Sequence, residues 1–171
     1  MKHETLTARL EALAFSITEH IDRVNRGGCA VLASIVGRHL QKMDVMVEVV
    51  TPTVCGFGGE NGKSGKEVCK LVSNKKDTSE WDRNGLRRHH LAIRFRSGGK
   101  TWTWDSHGVR EGAHCFGEDG RYRTTEEFGD GLSVRDCEAM ASAPLGWNRE
   151  FDRSQIPLMK HLARHHLQFG L

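Results

Sequence analysis

The chain has 171 residues, 37% of them hydrophobic and 27% charged, a balance that fits one soluble globular domain spanning 1–171. A net charge of +3 is mild, and the sharpest basic cluster, Arg87-Arg88-His89-His90, is short, which argues against a nucleic-acid partner. No apolar run reaches membrane-span length, and Met1-Lys2-His3-Glu4-Thr5 opens no apolar signal core, so a cytoplasmic protein with no membrane partner is expected. Five cysteines, Cys29, Cys55, Cys69, Cys115 and Cys137, then read as free thiols, and no CxxC pair marks a zinc or dithiol site.

In chain order, residues 4–25 carry Leu6, Leu10, Leu13, Ile17, Ile21 and Val24 at spacings of three and four, the stripe of an amphipathic helix. Asn25-Arg26-Gly27-Gly28 breaks that pattern, because paired glycines favour a tight turn. A second helix is predicted from about Cys29 to about Lys42, apolar on several sides and therefore buried. Val45 to Val50 reads as a strand that stops at Pro52, and 52–85 as a long polar excursion. His90 to Phe95 alternates, Ser97-Gly98-Gly99-Lys100 turns, and Thr101 to Asp105 alternates again, which predicts a hairpin. Residues 106–146 are Gly-rich and irregular, apart from a short helix near Val134 to Ala143. From Ser154 a last helix is expected, with Pro157 in its first turn and Leu158, Leu162 and Phe169 for packing.

The residues that carry chemistry fall at the ends of these elements. A free thiol titrates near pH 8.5, and a helix N-terminus lowers that value because its unpaired amides and dipole favour negative charge. Cys29 stands at a predicted helix start, and Gly27 and Gly28 before it give a sharp bend and room for substrate. Its own amide is a candidate oxyanion donor. In a hairpin turning near Gly98 and Gly99, residues whose numbers sum to about 195 lie opposite each other, which pairs His90 with Asp105. His89 would share the face of Leu91, Ile93 and Phe95, so His90 is the preferred base and Asp105 its orienting carboxylate. Asn25, Gly28 and Trp104 are the candidates for oxyanion stabilisation and substrate binding. His161, His165 and His166 lack a companion ligand and read as a solvated helix face, while His107, His114 and Cys115 form a loose group without ligand spacing. No metal is expected.

Gly27-Gly28-Cys29-Ala30 through Leu40 to Val50 resembles the nucleophile helix and following strand of the transglutaminase-like, papain-related superfamily. His90-Leu91-Ala92-Ile93-Arg94-Phe95 and Thr103-Trp104-Asp105-Ser106 resemble its histidine and aspartate strands, separated here by 15 residues. Arg26-Gly27-Gly28-Cys29 and Asp105-Ser106-His107-Gly108 are similar to stretches of the arylamine N-acetyltransferases. The resemblance implies an α+β fold with a buried nucleophile helix packed on a small antiparallel sheet. It also implies a Cys29-His90-Asp105 triad working through a thioester. The chain is too short for the additional domains of those acetyltransferases, so no acetyl-CoA and no other cofactor is expected.

Two functions follow. The first is a cysteine-dependent hydrolase or acyl transferase, foremost one that cleaves a peptide, isopeptide or amide bond in a small substrate or a protein. The second is a catalytically inactive protein of the same fold, of the kind carried by viruses or mobile elements, that grips a protein partner.

Overall fold

The computed structural model describes residues 3–50, 91–112, 114–116, 122–124, 133–142 and 151–168. The expected stripe builds α1 (His3–His20), with Leu6, Leu10, Leu13 and Ile17 buried along it and Ile21 buried just past its end. The helix stops five residues earlier than its periodicity suggests, because Arg23 takes the left-handed conformation at φ 53°. The chain then winds into a π turn (Val24–Gly28), which runs directly into α2 (Cys29–Lys42). Every residue of α2 from Cys29 to Gly37 is buried, as its apolar character on several sides predicts.

After a turn in which Asp44 is left-handed, β1 (Val47–Val50) begins the sheet. The expected hairpin forms as β2 (Ala92–Ser97) and β3 (Lys100–Asp105). Gly98 and Gly99 both have positive φ, at 61° and 75°, which is the requirement of a two-residue hairpin turn matched to strand twist. Strand β4 (Gly108–Glu111) completes an antiparallel sheet in the order β1-β2-β3-β4. A second, two-stranded sheet pairs β5 (His114–Phe116) with β6 (Tyr122–Thr124). The irregular character expected of 106–146 therefore fails at these three strands.

The hairpin register differs from the expected one. Paired residues such as Ile93 and Trp104 sum to 197 rather than about 195, and His90, the expected partner of Asp105, lies outside the described residues. The cause is the turn: Ser97 pairs with Lys100 across Gly98-Gly99, so the hairpin is centred one residue later than the sum of 195 assumes. An offset of two preserves the alternation of faces.

One face of the sheet, carrying Val49, Ile93, Phe95, Trp104 and Val109, is buried with the helices. Trp104 joins the layers: its indole N–H donates to the Leu10 carbonyl of α1 at 2.8 Å. The Val109 amide donates to the Glu11 carboxylate at 2.6 Å, fixing α1 over β4 as well. On the opposite face Arg94 reaches its cross-strand partner Glu48, at 2.6 Å for its closest nitrogen.

Helix α3 (Val134–Ser142) matches its sequence expectation and packs on α2. A single 3-10 turn (Arg153–Gln155) leads into α4 (Ile156–Gln168), and Asp152 caps that turn by accepting from the Ser154 amide at 2.9 Å. Met159, Ala163 and Leu167 form the buried stripe of α4, whereas Leu158, expected to pack, is 40% exposed. Leu162 is partly buried against the core, and Phe169 lies outside the described residues. No helix among the described residues is long and apolar enough to cross a membrane.

Burial, and after it the charges of Lys42 and Arg164, hold His39 below the ordinary histidine value, and burial and then His165 do the same for His166. The unfolded chain therefore takes up protons that the fold resists, and stability is lost as pH falls through about 6.5. The urea midpoint is expected to drop between about pH 7.5 and 5.5, and His39→Gln to flatten that slope. Glu138 and Asp152, both held below the usual carboxylate range by hydrogen bonds, act in a separate window below about 4.5. A midpoint independent of pH between 7.5 and 5.5 would contradict the assignment to histidine.

Candidate active site

Cys29 is the first residue of α2 and is only 5% exposed, inside the main core. Sequence reasoning expects a sharp bend before it, but Gly28 is itself helical at φ −84°, ψ −13°, and the departure from helical geometry lies earlier, at Arg23 and Gly27 (φ 94°). A π turn has five-residue hydrogen-bond spacing, is rare, and recurs at functional positions, because the inserted residue displaces one side chain from the helical ladder. The two glycines serve this widened turn. The space beside Gly28 is filled: a Cβ there would come within 2.8 Å of the Phe151 ring, which is itself buried. Room for substrate at Gly28, expected from the sequence, is thus taken by an aromatic side chain.

Asp105 ends β3 and is 5% exposed, and its alternation sets it with Thr103 and Ala92 on the face away from Trp104. Asp105 and Gly108 close a tight turn over Ser106 and His107. Within it, one Asp105 oxygen accepts from the His107 amide at 2.7 Å and lies 3.3 Å from His107 Nδ1. On the far side of the ring, His107 Nε2 is 3.3 Å from the side-chain nitrogen of Asn25. The tautomer that satisfies both contacts carries its proton on Nδ1, facing the carboxylate, and presents the Nε2 lone pair to Asn25. Ser106, fully buried, donates its hydroxyl to the Asn25 carbonyl oxygen at 2.5 Å.

Asn25 is therefore the link between the two halves. It sits in the π turn four residues before Cys29, and it holds the Ser106-His107 turn that follows Asp105. Of the expected site residues, the structure brings Asn25 and Asp105 into one hydrogen-bonded group and sets Cys29 one turn along the helical path from Asn25. Trp104 lies in the core with its N–H directed at α1, away from this group. His90 lies outside the described residues.

His107 and Ser106 were not selected from the sequence. A signal for them exists: Asp-Ser-His-Gly after an alternating strand is the pattern of an aspartate accepting from the amide two residues on, which brings the histidine ring beside the carboxylate. Phe151 carries no such signal, since it stands alone in an irregular stretch 122 residues after Cys29.

Cys137, the other buried free thiol among the described residues, donates to the Ala30 carbonyl at 3.2 Å and braces α3 against the start of α2. Its location inside the helical layer suits packing rather than chemistry. No family model matches the chain, no curated protein matches it, and no solved structure matches it.

Proposed function

We propose that the chain is a thiol-dependent hydrolase or acyl transferase of papain-like or transglutaminase-like architecture, with Cys29 as its nucleophile and Asp105 as its orienting carboxylate. One observation carries this: Asn25, in the turn that delivers Cys29, is hydrogen-bonded to the residues that directly follow Asp105. Two histidines then compete for the base. His90 is the one the family resemblance implies, and His107 is the one whose ring lies against Asp105.

In either case the chemistry is the same, and for His107 it requires Nε2 to exchange its Asn25 contact for the Cys29 thiol. The imidazole takes the thiol proton of Cys29, and the sulfur attacks an amide or ester carbonyl to give a tetrahedral oxyanion. Collapse forms the thioester as the imidazolium protonates the leaving amine or alcohol. Water releases the acid in a hydrolase, and an amine releases an amide in a transferase. Asn25 is the side-chain amide nearest to the nucleophile in sequence and is the proposed oxyanion donor.

The burial of Cys29 and the Phe151 ring over Gly28 favour the second function, an inactive protein of this fold that grips a protein partner. Incubation with an activated aryl ester, followed by intact-mass measurement and peptide mapping, separates the two. An enzyme gains one acyl group, on Cys29, and loses it again on addition of an amine. Absence of any adduct on Cys29 at millimolar ester would reject the catalytic proposal.

A further inference from the structure

A cleft of about 410 Å³ opens on the other side of α2, where α3 and α4 pack against it. It is built from two helical stripes that face each other. Arg38 and Lys42 project from α2 at i, i+4, and Lys160 and Arg164 from α4 at the same spacing, with Arg153 at the end of the cleft. Among the described residues, five cations thus share one small cleft with a single carboxylate, Glu138, in a chain whose net charge is only +3.

Two of these cations are held by the protein. Arg38 makes a two-point pair with Glu138, and Arg153 donates to the Ala141 carbonyl at 2.8 Å. Lys42, Lys160 and Arg164 pair with no carboxylate among the described residues. His39 lines the same cleft, where burial first, and then the charges of Lys42 and Arg164, disfavour its charged form. Charges of one sign gathered in a concave wall repel each other and concentrate a field that a counter-charge relieves. Below them Val31, Ile35, Ala141 and Ile156 line the cleft with apolar surface.

We propose that this cleft is a binding site for a small ligand carrying two or more phosphate groups, its phosphates held by Lys42, Lys160 and Arg164. A volume of about 410 Å³ suits a nucleotide or a short inorganic polyphosphate. The site is separate from the Cys29 chemistry and stands whether or not that chemistry operates.

Calorimetric titration of the full chain with sodium tripolyphosphate and, separately, with ATP tests it. Saturable binding of one equivalent is expected. Lys160→Gln and Arg164→Gln should each weaken it by about five- to tenfold, and Lys100→Gln, on the sheet, should leave it unchanged. Equal affinity for the two ligands assigns the site to the phosphate chain alone, whereas tighter binding of ATP assigns the apolar lining to its base. No saturable heat with either ligand at millimolar concentration, or the same weakening in Lys100→Gln, overturns the proposal. All three positions are exposed, so coincident thermal melts should show that the variants fold.

Discussion

Trp104→Ala is expected to destabilise the chain by about 3–5 kcal/mol, the range for removing a large aromatic from a packed core. Trp104 is only 1% exposed, stands in register between Ile93 of β2 and Val109 of β4, and donates its indole N–H to Leu10 of α1. Its loss therefore opens a cavity at the junction of sheet and helix and removes a hydrogen bond between the two. Trp104→Phe retains most of the packing and forfeits the hydrogen bond, for an expected cost of about 1–2 kcal/mol. Urea denaturation with an unchanged slope reads both values, and the thermal midpoint of Trp104→Ala should fall by roughly 6–20 °C. Phe15→Ala, at a position 68% exposed, is the comparison. If it costs as much as Trp104→Ala, the packing account of this junction is wrong.

Asp105→Asn is expected to slow acylation of Cys29 by about 10²–10⁴-fold, while Cys29→Ala abolishes it. The substitution keeps an acceptor oxygen for the His107 amide, which Asp105 now engages at 2.7 Å, so the turn can survive. The negative charge beside the His107 ring is lost. Single variants His90→Ala and His107→Ala assign the base, because only the true base should reproduce the loss seen in Asp105→Asn. Unchanged acylation in Asp105→Asn would remove the carboxylate from the mechanism.

Much of the scaffold was legible from periodicity. The stripe from Leu6 to Ile21, the span Cys29–Lys42, the alternation on both sides of Gly98-Gly99 and the helix at Val134–Ser142 follow from spacing and turn chemistry alone. Strands β4 to β6 were not, because they are three or four residues long, and Gly108-Val109-Arg110-Glu111 offers one apolar side chain to the core. Short strands take their shape from neighbours rather than from their own pattern.

The site was legible in its parts and not in its joints. Two adjacent glycines read as a bend, yet their permissive backbone serves a π turn, and nothing local distinguishes these outcomes. A turn centred one residue later moved the register of the described hairpin by two, to pairs such as Ile93 with Trp104. That Asn25 meets Ser106 and His107 across 81 and 82 residues depends on how α2 and the sheet pack, which one sequence does not encode in any spacing. The basic cleft has the same character: the stripes of α2 and α4 are visible separately, and only tertiary packing sets them face to face.

The proposed activation of Cys29 as a nucleophile is tested by the pH dependence of its alkylation with iodoacetamide, with each modified thiol mapped by mass spectrometry. Cys29 is expected to react first among the five cysteines and to reach its limiting rate well below the ordinary thiol value of about 8.5. Its rate should then collapse when the pairing histidine, His90 or His107, is replaced by alanine. Slow and equal labelling of every thiol, rising only near pH 8.5 and indifferent to both histidines, would contradict it.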